Sequence, residues 1–275
     1  MTPLLAGLVD DAGLFPPTAL SMSEALVRHS RDLAGRDPML THRFLCPVER
    51  IDELRAGLTD TDRIAVGLIA SAGTSDGALA AAAATTTDAD PRVRLALVEI
   101  ASDPADLDAA LPAATSFDTP VFVEAPDRAD TPRLAAALAG RGAGLKVRCG
   151  GARAALFPRP DELAAALVVA AAANVPVKAT AGLHHAVRHR DPATGFVHHG
   201  FLNLVLAAAR AAAGAQHGAV TAALANTDGP ALAAEALSLP PDGAAAARRL
   251  LRAYGSCSTT TPPAEAAAFG LAPAP

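Results

Sequence analysis

The sequence predicts a (β/α)8 barrel of the TIM type, and three observations carry that prediction. Short apolar, β-branched runs alternate with Ala- and Leu-rich stretches almost from end to end, the rhythm of parallel strands joined by helical crossovers. A length of 275 residues suits one such barrel. Hydrophobic residues make up 51% of the chain and charged ones 19%, a balance that fills a large core and excludes global disorder. No segment reads as a linker, so residues 1–275 are expected to form a single α/β barrel domain. A doubly wound open sheet is the alternative, but no GxGxxG follows the first apolar run.

In order, the expected strands are LLAGLV (4–9), HRFLCPV (42–48), RIAVGLIA (63–70), VRLALVEI (93–100), PVFVEA (120–125), GLKVRC (144–149) and VPVKATA (175–181). The helices between them include SMSEALVRHSRDL, IDELRAGL, DGALAAAAA, PADLDAAL, TPRLAAALAG and PDELAAALVVAAAA. Several start after Ser, Thr, Asp or Pro, the residues that cap a first turn or fit into it. An Ala-rich helical region from about 204 to 253 follows, and YGSCSTT (254–260) is the best eighth strand. Irregularity, where it occurs, is expected in that last unit.

Composition excludes several function classes. A net charge of −5 gives no broad basic surface, and one Tyr, eight Phe and no Trp give no stacking platform, so nucleic acid is not an expected partner. The start, MTPLLAGLVDDAGLFPP, lacks the basic residues of a secretory signal. The longest apolar stretch, Leu163–Ala173, is too short to span a bilayer. Three cysteines (Cys46, Cys149, Cys257), an odd number without a CxxC pair, fit reduced thiols in a cytoplasm. Self-association into a homo-oligomer stays open.

Among 23 basic residues only two are lysines, Lys146 and Lys178. Where Arg serves for general surface charge, a retained Lys points to specific chemistry, because only Lys readily loses its proton when buried. Alternation on barrel strands then brings scattered residues together, since inward side chains near strand C-termini meet at the mouth. Leu95, Leu97 and Glu99 are expected to share one face of the fourth strand, and Phe122 and Glu124 one face of the fifth. Lys146 and Arg148 share a face of the sixth, Lys178 and Thr180 one of the seventh, and Asp10 and Asp11 end the first. Ion pairs closing the mouth are one reading, because buried charges must be paired. A catalytic reading makes Lys146 or Lys178 a nucleophile or electrostatic catalyst, with Glu99 and Glu124 as acid/base groups or lysine partners.

Five of the eight histidines follow Lys178 within KATAGLHHAVRHRDPATGFVHHGFLN (178–203). His184 and His185 are candidate proton-transfer residues, and His198, His199 and Asn203 candidate substrate-binding residues, together with Arg148, Asp10, Asp11 and Thr180. A loop folded back at DPATG would bring His184 or His185 towards His198 or His199. His185 and His189, four apart, would share a face if helical, and with His199 they form a candidate zinc or manganese site. Glu99, Glu124 or Asp10 would then add oxygen ligands, although no established signature such as HExxH is present. Gly150, Gly151, Ala181 and Gly182 follow the two lysine strands and either admit an anion to the backbone or simply turn the chain. GSCSTTT (255–261) suits anion binding or an ordinary polar turn. No GxSxG elbow or Walker motif occurs.

GLKVRCGG and VPVKATAGLHH resemble the paired lysine strands of class I aldolases of the deoxyribose-phosphate aldolase kind. The resemblance implies Lys146 as the Schiff-base residue and Lys178 as its partner, although the Thr-Ser-Thr-Gly run after the family's nucleophile is absent here. LVDDAGLFPP, GLKVRCGG, the histidine segment and GSCS together resemble a bacterial protein family, which implies one continuous domain and no particular reaction. The expected function is therefore lyase, aldolase-like or isomerase chemistry on a small oxygenated anion, a carboxylate or phosphate. A divalent-metal hydrolase or lyase and a non-catalytic anion-binding module are the alternatives.

Overall fold

The computed structural model describes residues 2–86 and 90–272. Eight parallel strands close into a barrel, as expected: β1 (Val9–Asp11), β2 (Leu40–Pro47), β3 (Ile64–Ile69), β4 (Val93–Ala101), β5 (Val121–Glu124), β6 (Gly144–Arg148), β7 (Val177–Thr180) and, closing on β1, Leu251–Ser256. Two short strands, β8 (His189–Arg190) and β9 (Val197–His198), pair as a separate hairpin between β7 and the closing strand, which is therefore β10. Helices α1 (Met22–Gly35), α2 (Ile51–Gly57), α3 (Asp76–Ala84), α4 (Leu107–Thr115), α5 (Thr131–Ala137) and α6 (Pro160–Ala172) fill the first six crossovers. No helix among the described residues is long and apolar enough to cross a membrane.

Local sequence explains most boundaries. Ser21 caps α1 in a reciprocal box: its side chain accepts the Glu24 N–H while the Glu24 carboxylate accepts the Ser21 N–H. Pro160 starts α6 at a position where its missing N–H costs nothing. The Ala-rich region resolves into α7 (Phe201–Ala212), α8 (His217–Ala225), α9 (Gly229–Ser238) and α10 (Pro241–Leu250), with α11 (Thr261–Ala268) after the barrel closes. α7 is enclosed by α6, α8, α9 and α10, which explains why it is apolar nearly all round rather than along one stripe.

Three expectations need correction. The run 4–9 is not a strand: only Val9–Asp11 pairs, while Leu4, Leu5 and Leu8 are fully buried in a turn whose Ala6 and Gly7 carbonyls accept from Arg248. Its apolar character reflects burial beneath the barrel, not strand pairing. The eighth strand starts three residues earlier than expected and stops at Ser256, because α10 ends at Leu250 and passes directly into it. Leu95 does not share the face of Leu97 and Glu99. The pairing of β3 with β4 skips Ala96, and this bulge puts Leu95 with the outer core and Leu97 with the inner one.

The inner core is small and apolar on one side only, built from Ala12, Leu45, Ile69 and Leu97 with Phe15 against them. Phe122 fills the neighbouring space because Gly144 faces it, where a Cβ would lie 2.6 Å from the ring. Much of the remaining interior is charged, with Asp10, Arg43, Glu99, Glu124, Lys146 and Lys178.

Candidate active site

The interior charges form one alternating series across six strands. At the β1–β2 side, Asp10 accepts from Arg43 Nε at 2.8 Å and from the Thr41 hydroxyl at 2.5 Å. Lys178 Nζ lies 2.9 Å from Asp10 Oδ2 and 2.6 Å from Glu99 Oε1, and both its ion pairs are fully enclosed. Lys146 Nζ lies 2.7 Å from Glu99 Oε2 and 3.0 Å from Glu124 Oε2. Arg148 Nε closes the series on Glu124 Oε1 at 2.7 Å. Four cations (Arg43, Lys178, Lys146, Arg148) against three carboxylates (Asp10, Glu99, Glu124) leave one positive charge.

Burial and neighbours act in opposite directions here, and the neighbours win. Burial raises the Glu99 carboxyl, but Lys146 and Lys178 on either side hold it down to about 2. Burial likewise raises Glu124, and Lys146 and Arg148 outweigh it. Lys146 shows the converse: burial lowers it, but Glu99 and Glu124 push its ammonium above the usual lysine range. Lys146 is thus a persistent cation rather than a readily deprotonated amine, and the Glu99 carboxylate stands between it and Lys178.

Above this series a cavity of about 550 Å³ opens at the C-terminal ends of the strands, the size of a small-metabolite site. One wall is polar, with Glu99, Glu124, Lys146, Arg148, Thr180, His184 and Cys257. The other, across the barrel, is apolar, with Phe15, Leu45 and Ile69. Lys178 lies beneath the floor and does not line it. Arg148 gives two of its nitrogens to Glu124, while Nη1 makes no hydrogen bond among the described residues.

The two acids of β1 separate by alternation. Asp10 points inward. Asp11 turns towards α1, where it pairs with Arg28 and lies 3.1 Å from His29 Nδ1, and these partners keep its carboxyl low despite burial. Arg28 Nη1 in turn donates to the Cys257 carbonyl at 2.6 Å, so Asp11 anchors the segment after β10 instead of binding in the cavity.

The loop after β7 contributes one histidine to the mouth. His184 lines the cavity, and burial with His185, His198 and His189 nearby lowers its imidazole to about 4. The chain folds back at DPATG, as expected, but the pair brought face to face is His189 and His198, with ring centroids 5.3 Å apart. His185 is not helical, yet its ring meets His189 edge-on with centroids 4.6 Å apart, and its Nδ1 lies 2.6 Å from Glu265 Oε1 of α11. His198 packs on Phe157 at 4.5 Å. His199 is buried, donating from Nε2 to the Pro158 carbonyl at 2.8 Å and facing Arg188 through Nδ1 at 3.2 Å. That placement separates it from His185 and His189. No group of three His, Cys, Asp or Glu side chains among the described residues is arranged to hold a metal ion. Asn203, a candidate substrate ligand, has its amide committed instead: it accepts from Arg188 N and donates to the carbonyls of Ala223 and Asn226.

Gly150 and Gly182 serve packing. A Cβ on Gly182 would lie 2.8 Å from the Cys149 carbonyl oxygen, and its φ of +70° favours glycine as well. The residues that sequence reasoning missed are Arg43, Arg28 and Glu265; Ser256 and Cys257 lie in the GSCSTTT segment expected to bind an anion or form a polar turn, with no individual role assigned to either. Arg43 was detectable as a charge in the apolar run HRFLCPV, in phase with Leu45.

The chain matches no family model, no curated protein and no solved structure, and the chemistry of this mouth rests on its own residues.

Proposed function

We propose that the mouth is the active site of an enzyme acting on a small oxygenated anion that carries a carbonyl, by lyase- or isomerase-type chemistry. The observation that carries this reading is the pairing of Lys146 and Arg148 on the polar wall of a cavity whose opposite wall is apolar. Excess positive charge in a partly enclosed site favours a carboxylate or phosphate, and the Arg148 fork suits its planar oxygens. The Lys146 ammonium, held by two carboxylates, serves as an electrostatic catalyst for an enolate or alkoxide oxygen. His184, neutral near pH 7, moves the proton. Glu99 and Glu124 act as lysine partners, because the cations beside them hold both carboxyls below the usual range, Glu99 down to about 2.

This reading differs from the aldolase resemblance in one step. A Schiff base requires an unprotonated lysine, and Glu99 and Glu124 oppose that form of Lys146. Glyoxylate, pyruvate and inorganic phosphate are suitable probes, read by thermal shift and calorimetry on the wild type, Lys146→Met and Arg148→Gln. Saturable binding weakened at least about tenfold in both variants is expected, the loss of one charge-assisted contact. Binding unchanged in both removes the reading. Borohydride with either oxo acid, followed by intact mass, should leave the protein unmodified; an adduct at Lys146 restores the Schiff-base mechanism in its place.

A further inference from the structure

We propose that Cys257 and His184 form a nucleophile–base dyad, with Cys257 adding reversibly to the carbonyl carbon of the substrate. The inference rests on the mouth being the anion site for the substrate's position, and on the dyad's own geometry for its chemistry. Cys257 is the first residue past the end of β10, where barrel enzymes carry reacting groups, and both side chains line the cavity. Its Sγ lies 3.5 Å from His184 Nε2 and 3.7 Å from Nδ1, nearly equidistant from the two ring nitrogens.

The hydrogen bonds assign the ring proton. Ser256 Oγ is 3.0 Å from His184 Nδ1 and has one proton to give, and the Ser258 carbonyl receives it at 2.6 Å. Oγ therefore accepts from the imidazole, and Nδ1 carries the hydrogen. Nε2 is thereby left without a hydrogen, 3.5 Å from the thiol, and Ser256 holds the ring as the third member of a triad does. Arg28 fixes the Cys257 backbone from the other side. All three cysteines are buried, but only Cys257 lines the cavity beside a histidine; Cys46 and Cys149 do not, and burial pushes their thiols up to about 12.

The step needs no co-reactant. As Sγ bonds to the carbonyl carbon, the S–H proton passes to Nε2 and the C=O π pair moves to oxygen. That oxygen then takes the proton from the imidazolium, leaving a neutral hemithioacetal, and the reverse path releases the carbonyl. Positive charge from Lys146 on the same cavity wall favours the transient oxyanion.

Alkylation of the full chain with iodoacetamide and iodoacetate, mapped by peptide mass, tests the proposal. Cys257 is expected to label first, at a rate that follows the unprotonated fraction of His184, whose imidazole is lowered to about 4. His184→Gln should slow both reagents at least about tenfold, within the reach of general-base assistance. Ser256→Ala, which keeps the imidazole, should slow them several-fold. Thermal melts check that both variants fold, and the wild-type pH profile stands without either of them. Labelling of Cys257 at the same rate in His184→Gln overturns the dyad. So does a wild-type rate that climbs only through the ordinary thiol range. A preference for iodoacetate that disappears in Arg148→Gln supports the anion site. Fast, His184-dependent labelling without that preference keeps the dyad and removes the anion reading; a preference with His184-independent labelling does the reverse.

Discussion

The barrel interior and the histidine hairpin are the two regions richest in chemistry-bearing side chains, and they use them in opposite ways. The interior spends every charge on a fixed neighbour, from Arg43 through Asp10, Lys178, Glu99, Lys146 and Glu124 to Arg148. The hairpin region spreads five histidines over separate tasks, and only His184 reaches the cavity. Density of polar residues in a sequence therefore says little about a site. What matters is which side chains an element turns inward. Inside the barrel a charge has no water to turn to, so it must find a partner. On the hairpin each imidazole takes whatever is nearby: Glu265, Phe157, Pro158 or another ring.

The largest expected effect breaks the interior. Lys178→Met leaves Asp10 and Glu99 without their shared cation, and denaturant unfolding should show a loss of about 3–5 kcal/mol. Adding Glu99→Gln should recover part of it; a single variant as stable as the wild type would refute the idea of a charge series under tension. Next comes Asn203→Ala, which strands a backbone N–H and two carbonyls at a cost of about 1–3 kcal/mol. Anion affinity should stay at the wild-type level, separating packing from binding.

Acid titration sharpens the comparison, because the two regions answer in different windows. His184 and His199 are held near 4 against an ordinary 6.5, so the unfolded chain takes up protons first. Stability is complete above about 6.5 and declines as pH falls towards 4. Glu99, held near 2 against 4.5, adds a second decline between those values. Urea midpoints measured across pH should flatten in the upper window for His199→Gln and in the lower one for Glu99→Gln. The smallest effect belongs to His189→Ala. Away from the cavity, it should change stability by about 0.5 kcal/mol or less and leave Cys257 alkylation as it was.

Much of the interior was legible before any coordinates. Glu99, Glu124, Lys146 and Lys178 were placed at one mouth by strand alternation alone; they do meet in one ion-pair series, but Lys178 lies beneath the cavity floor and only the other three line it. Arg148 and Thr180 line the cavity with them. The failures have local causes. The bulge at Ala96 reversed Leu95, and an apolar turn at residues 4–8 looked like a strand because buried turns and buried strands share composition. In the histidine segment nothing in the spacing indicated which ring would face inward, since a hairpin held by Asp191 at its turn has no period to read.

By itself the sequence determined the closed βα rhythm, the inward charges on four consecutive strands and the scarcity of lysine that drew attention to two positions. Those are consequences of period-two alternation and of composition, which short stretches of chain carry on their own. Only the tertiary structure decided that Glu99 stands between the lysines and keeps Lys146 charged, that Asp11 faces α1, and that Cys257 lies beside His184 across 73 positions of chain. Such contacts depend on register, on bulges and on where a strand stops, and no local pattern encodes the distance between two residues that meet only when the barrel closes.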